Sequence, residues 1–260
     1  MIVRAKKNLG QHFLTDRQIA NNIVESLKIK DFNHVLEIGP GMGVLTDFLL
    51  EHKEYNTSVI EIDRESVAYL KKHYPILKER IIEGDFLKLD LRNQYANKPV
   101  AVIGNFPYNI SSQIFFRILQ MKDFVPEVVC MLQEEVAQRI CSGPGSKVYG
   151  ILSVFLQAWY DVEYLFKVPP EVFNPPPKVY SAVIRLTRNS VTDLGCNENL
   201  FRSTVKQTFN QRRKMLRNSL KNLVLNMEEL DADLLTKRPE QLSVAEFVNL
   251  TNQIEKIQKK

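Results

Sequence analysis

The chain has 260 residues, 44% hydrophobic and 25% charged, ordinary for a globular protein with one good core and room for a small second domain. Three cysteines and four histidines lack metal-ligand or redox spacing, and no apolar run reaches the roughly 20 residues that span a membrane, which argues against a metal centre, a disulfide scaffold or an integral membrane protein. The net charge of +5, with pI near 9.0, is a mild basic excess, and the first residues carry no apolar leader, so a cytoplasmic setting is expected.

In chain order, short β-branched runs alternate with helical stretches as far as about residue 165. Strands are predicted at His34–Ile38, Thr57–Ile62, Arg80–Glu83, Val100–Ile103 and Val128–Leu132, with helices between them such as Arg64–His73 and Ser111–Met121. This alternation implies a parallel sheet with helices on both faces. Two later runs, Trp159–Val168 and Val179–Leu186, flank the turn-rich Pro169-Pro170 and Pro175-Pro176-Pro177 and read as a terminal antiparallel hairpin. After Thr187 a polar linker leads into helices only. Phe201, Val205, Phe209, Leu216, Leu220 and Leu223 recur near one helical face. The predicted domains are therefore 1–188, an α/β Rossmann-like sheet, and 189–260, a small all-α C-terminal domain.

The first strand runs into Gly39-Pro-Gly41-Met-Gly43. Glycines here permit a tight turn and close approach of backbone to a ligand. The dinucleotide fingerprint would need glycine at position 44, where Val44 stands, so a ligand without a pyrophosphate is favoured. S-adenosylmethionine fits. The second strand ends in Glu61-Ile62-Asp63, with Glu61 placed 22 residues past Gly39, where a carboxylate can accept ribose hydroxyls. The third ends in Gly84-Asp85-Phe86, where Asp85 can accept from an adenine amine with Phe86 beside the ring.

The fourth strand ends in Asn105-Phe106-Pro107-Tyr108. A polar amide, a proline-fixed backbone and an aromatic can hold a flat, amine-bearing ring edge-on to acceptors and face-on to a π surface. Methyl transfer to an exocyclic base amine needs that arrangement. Between Phe201 and Lys221 stand seven basic residues, among them Arg212, Arg213, Lys214 and Arg217, and no acidic one. Such a single-sign run on an expected helix points to a polyanion.

These segments resemble the KsgA family of small-subunit rRNA adenine N6-dimethyltransferases over nearly the whole chain. The resemblance is carried by Lys7-Asn-Leu-Gly-Gln-His-Phe-Leu14, Glu37-Ile-Gly-Pro-Gly41, Val59-Ile-Glu-Ile-Asp63, Gly104-Asn-Phe-Pro-Tyr-Asn-Ile-Ser111, Leu132-Gln-Glu-Glu-Val-Ala137 and Ser146-Lys-Val-Tyr-Gly150. It continues through Val172-Phe-Asn-Pro-Pro-Pro-Lys-Val179 and Phe209-Asn-Gln-Arg-Arg-Lys214. The last two distinguish this family from the related Erm methyltransferases of large-subunit rRNA.

The resemblance implies a class I S-adenosylmethionine (SAM) methyltransferase fold. It implies dimethylation of two adjacent adenosines in the 3′-terminal hairpin loop of 16S rRNA, within an immature 30S particle. It puts cofactor contacts on His12, Leu14, Gly39, Glu61, Asp85 and Asn105, to which the loop and strand ends add Gly41, Ile62 and Phe86. The family usually has Asn where this chain has His12. The catalytic set expected is Asn105, Phe106, Pro107 and Tyr108, with Phe173 as the second aromatic wall around an extruded base. Lys6, Lys7 and Lys178 are expected to line the RNA path. Lys147 is expected near the substrate in a glycine-rich loop, and Arg212, Arg213, Lys214 and Arg217 on rRNA phosphates. The expected protein is a monomer without a metal. A non-catalytic RNA-binding assembly factor and an Erm-type enzyme stand as alternatives.

Overall fold

The structure, a computed structural model, describes residues 3–224 and 226–260. Among the described residues nine strands form: β1 Phe13–Leu14, β2 His34–Ile38, β3 Asn56–Glu61, β4 Ile81–Glu83, β5 Val100–Asn105, β6 Glu127–Gln133, β7 Tyr160–Val168, β8 Phe173–Asn174 and β9 Ser181–Arg188. Seven of them make one sheet in the order β4-β3-β2-β5-β6-β9-β7. The first five in that order are mutually parallel, and β9 runs antiparallel to β6. β2 and β5 are buried along almost their whole length, which is why they read as unbroken apolar runs and not as alternating ones. The chain builds outward from β2 to β3 and β4, then returns to place β5 on the other side of β2. The crevice at that reversal, beyond the carboxyl ends of β2 and β5, is where open α/β sheets bind ligands.

Local signals explain the elements around this crevice. The helix Arg64–His73 starts at Asp63, whose carboxylate accepts the Glu65 N–H, and ends on Lys71, Lys72 and His73, the sign a helix carboxyl terminus prefers. The helix Val44–Glu51 opens on Gly43 at φ +87°, a conformation that disfavours a side chain. A Cβ on Gly104 would lie 2.5 Å from the Ile38 carbonyl oxygen, so glycine lets β2 and β5 stay close at their carboxyl ends. Val35, Ile103, Val129, Met131 and Val183 build the core across the sheet together with Ala20 and Ile23.

The two late runs do form neighbouring strands, β7 and β9. Between them β8 leaves the sheet and pairs with β1, setting Phe13 opposite Asn174 and Leu14 opposite Phe173. That pairing ties the N-terminal segment to the proline-rich loop.

The chain divides into two compact units. One runs to Ala137 and resumes over Asp161–Arg188; the other comprises Gln138–Tyr160 and Asn189–Lys260. Residues 138–160 thus group with the C-terminal helices and not with the sheet, where a single boundary at 188 had put them. The second unit packs Phe201, Phe209 and Phe247, with Phe209 and Phe247 stacked at 6.0 Å. Its last helix, Val244–Gln258, is started by a reciprocal Ser243–Glu246 cap. The basic run does not lie on one helix: Glu198–Asn210 ends first, Arg212–Lys214 lie in a turn, and Arg217 falls in the short helix Leu216–Ser219. Among the described residues no helix is long and apolar enough to cross a membrane.

Candidate functional site

A cavity of about 640 Å³ lies wholly within the first unit, at the carboxyl ends of β2, β3 and β5. Its floor is the glycine loop. Gly39, Gly41 and Gly43 all have positive φ, at +67°, +58° and +87°. A Cβ on Gly39 would meet nothing within 4 Å, so this glycine faces open space. A Cβ on Gly41 would lie 2.7 Å from the Phe13 ring, and one on Gly43 would collide with the Tyr74 hydroxyl. Tyr74 braces the loop from beneath. Its hydroxyl donates to Asp47 at 2.8 Å and lies 3.1 Å from the Gly43 carbonyl oxygen; burial and Asp47 push this phenol upward.

Glu61 is 4% exposed. Its Oε2 accepts the Gly41 N–H at 3.2 Å, and its Oε1 accepts those of Ile62 and Asp63 at 2.9 Å each. The carboxylate therefore ties the end of β3 to the glycine loop. Burial raises its pKa, and the three N–H donors oppose that shift. Oε1 has both of its acceptor sites filled, and Oε2, with one N–H donor, retains capacity to accept a ligand hydroxyl. Asp85 accepts the Leu87 N–H at 3.0 Å and so caps the short turn Phe86–Lys88. Phe86 is buried while Ile62 is 53% exposed, an apolar surface at the cavity wall.

Beneath the loop, Glu37 is 1% exposed in the middle of the sheet. The Thr46 hydroxyl donates to it at 2.5 Å. Desolvation pushes its carboxyl up to about 8.

At the other end of the cavity, the Asn105 Nδ2 donates to the His12 carbonyl at 2.9 Å. That bond fixes the amide. Its Oδ1 is buried and has no hydrogen-bond partner among the described residues. Phe106 is fully buried; its N–H donates to the Met131 carbonyl at 2.9 Å, and its ring meets Phe115 edge-on at 5.7 Å. Its side chain is an anchor in the core, which leaves the backbone as the part that lines the cavity. The Pro107 carbonyl accepts the Ile110 N–H at 3.2 Å and closes the turn. The Tyr108 hydroxyl bonds that of Ser181, and its ring stacks on His12 with centroids 5.4 Å apart and planes 28° from parallel.

Nine predicted cofactor residues (His12, Leu14, Gly39, Gly41, Glu61, Ile62, Asp85, Phe86 and Asn105) line this cavity, as do Phe106, Pro107 and Tyr108. Phe173 does not. It is 3% exposed and packed among Leu14, Ile103 and Met131, because pairing of β8 with β1 turns its ring into the core. The expected second aromatic wall is therefore absent from that position. Lys6 is also reassigned: its ammonium pairs with Asp63 and with Glu65 at 3.1 Å, so two carboxylates compensate its charge. Lys7 and Lys178 are exposed.

In the second unit, Arg212 donates to the Lys147 and Ser146 carbonyls. It braces the glycine-rich loop instead of standing as a loose phosphate contact. Lys147, Arg213, Lys214 and Arg217 are exposed. Sequence reasoning missed Phe13, Tyr74 and Ser181, whose roles depend on partners distant in the chain. Only Phe13 carried a signal, standing between the motif residues His12 and Leu14.

The cavity suits a nucleoside bearing a small polar tail. Gly39 faces open space, acids follow the second and third strands, and Ile62 presents an apolar face. A family model described as Ribosomal RNA adenine dimethylase matches residues 2–256. The chain is 57% identical over 255 residues to the Ribosomal RNA small subunit methyltransferase A of Phocaeicola vulgatus, covering 98% of this chain and 91% of that one. It is 58% identical over 253 residues to a protein of the same name from Flavobacterium johnsoniae, covering 97% of each. Among solved structures, a dimethyladenosine transferase from Plasmodium falciparum matches with TM-score 0.79 at 25% identity, over 95% of this chain and 98% of that one. The 23S rRNA methyltransferase ErmE shares the fold, with TM-score 0.66 at 24% identity over 94% of this chain and 99% of that one.

Proposed function

The chain belongs to the ribosomal RNA adenine dimethylase family, and on that basis we propose that it moves methyl groups from S-adenosylmethionine to the N6 amines of two adjacent adenosines. We place these in the 3′-terminal hairpin loop of 16S rRNA, within an immature 30S particle in the cytoplasm. The observation that carries the reading is the buried Asn105 Oδ1, an acceptor without a donor in the wall of the cavity.

When bound, S-adenosylmethionine supplies a methyl group already activated by its positive sulfur. The chain's own residues bind and orient. Gly39 would leave room for the cofactor's amino-acid end, Glu61 Oε2 would accept a ribose hydroxyl, and Asp85 would accept from its adenine amine, with Ile62 and Phe86 beside that ring. At the target, the base N6 lone pair is delocalised into the ring and is a poor nucleophile. Asn105 Oδ1 and the Phe106 carbonyl accept its two N–H bonds, favouring a pyramidal nitrogen whose lone pair points at the methyl. The Nδ2 bond to the His12 carbonyl keeps the oxygen, not the nitrogen, of the amide turned to that amine. Positioning and electrostatics carry the rate in such an in-line transfer. Tyr108, held by Ser181, stacks on the extruded base. Each transfer would form the nitrogen–methyl bond as the methyl–sulfur bond breaks, leave the sulfur as a neutral thioether and release one amine proton to water; after the first, a single N–H remains, so the pocket must admit a methyl group before the second. Lys7, Lys147, Lys178, Arg213, Lys214 and Arg217 take rRNA phosphates, contacts that position RNA without reading its sequence.

The test is transfer of labelled methyl groups from SAM to immature 30S particles, 50S precursors and naked rRNA. Label in 30S alone, at N6,N6-dimethyladenosine, is expected. Label in 50S precursors instead, or none anywhere, would overturn the reading.

A further inference from the structure

We infer that the imidazole of His12 is a wall of the base slot that positions the target adenine, and that the role of this residue toward the cofactor is confined to its backbone. The inference rests on the proposed function and adds a specificity residue to it. Three interactions locate the residue. Its carbonyl accepts from Asn105 Nδ2 at 2.9 Å. Its Nδ1 lies 2.7 Å from the Pro175 carbonyl oxygen. Its ring stacks on Tyr108 at 5.4 Å and 28°.

The Pro175 carbonyl has no proton to give, so Nδ1 is the donor and carries the hydrogen. The ring is thereby held at Nδ1 by the proline-rich loop and by its stack on Tyr108. Tyr108 is itself held at its far end by Ser181. A centroid separation of 5.4 Å at a small tilt is an offset stack. Such a stack covers part of the phenol face and leaves part bare, so an incoming base meets a stepped two-ring surface. The buried, unpartnered Asn105 oxygen is fixed by the same His12 backbone. The imidazole thus limits where on Tyr108 the base can settle, and so where its amine falls relative to that oxygen. Phe173 cannot supply this wall, because its ring is in the core.

The backbone bond to Asn105 survives any substitution at position 12, so side-chain variants separate the two roles. His12→Ala, His12→Asn and His12→Phe would be compared for SAM affinity by calorimetry and for half-saturating 30S concentration in methylation. They would also be compared for the fluorescence of an RNA hairpin carrying 2-aminopurine at a target position. His12→Ala and His12→Asn are expected to bind SAM within about twofold of the parent. Both should need about tenfold more RNA, in line with the loss of one base–aromatic stack, and lose most of the 2-aminopurine signal change. His12→Phe should recover most of both. A tenfold loss of SAM affinity with the RNA requirement unmoved would overturn the inference, as would an unchanged RNA requirement and signal in His12→Ala. A parent protein that bound the hairpin with the signal change but methylated no rRNA would sink the proposed function alone.

Discussion

At the scale of single residues, the site turns on which atoms are already committed. Asn105 spends its amide nitrogen on His12 and leaves its oxygen buried without a donor, and a buried acceptor in that state is costly unless a ligand completes it. Asn105→Ala is expected to lower the methylation rate at least a hundredfold, roughly the scale for removing one aimed polar group. SAM affinity should fall less than about tenfold in a calorimetric titration, because Gly39, Glu61 and Asp85 remain. Near-parental turnover in this variant would remove the mechanism. Tyr108→Ala removes a base stack worth roughly 1–3 kcal/mol. It should raise the RNA requirement about tenfold or more with little change in that for SAM; equal effects on both would discard the stacking role. Tyr108→Phe, which sacrifices only the bond to Ser181, should sit much nearer the parent in the same assay.

At the scale of elements, the junction of β2 with the glycine loop buries a carboxyl group whose charged form folding disfavours. Glu37 sits in the sheet with the Thr46 hydroxyl as donor, and burial lifts its carboxyl from 4.5 to about 8. A carboxyl raised on folding binds a proton in the folded state that the unfolded chain has released. Stability from this residue is therefore full below about pH 4.5 and falls as pH rises toward 8, in the direction linkage requires when the folded state holds more protons. Glu37→Gln keeps the shape and cannot ionise. Its melting temperature relative to the parent should rise steadily from about pH 5 to about pH 8.5 in thermal unfolding scans, and the difference in unfolding free energy should reach the order of a few kcal/mol by the upper end. A constant offset across that range would mean that Glu37 does not titrate there.

At the scale of the whole molecule, basic charge is gathered in a turn of the helical unit, while the cavity belongs to the sheet unit. Arg213→Glu with Lys214→Glu should weaken RNA binding and flatten the slope of log affinity against log salt by about one for each phosphate no longer neutralised. Arg212→Ala should instead act through the loop at Ser146 and Lys147 that its guanidinium braces. That effect would be read as easier proteolysis around Gly143–Lys147, with the salt slope little changed. Binding titrations over a salt series decide both; an unaltered slope in the double reversal would put the phosphate grip elsewhere.

The alternation of strand and helix, the glycine loop, the acids after the second and third strands and the Asn105–Tyr108 segment were all legible in the sequence. They are written in local spacing: apolar runs for strands buried on both faces, glycines where φ must be positive, and chemistry-bearing residues at strand ends. Which of those groups are free to act depended on tertiary structure. Phe173 lost its place at the base because β8 pairs with β1, Lys6 is neutralised by Asp63 from 57 residues away, and Arg212 is held by a loop 65 residues earlier. Residues 138–160 likewise joined the helical unit across a long gap in sequence. The orientation of Asn105 was settled in the same way, by a carbonyl 93 residues distant. Local pattern states what a side chain can do; long-range pairing uses up some of that capacity and leaves the rest for function.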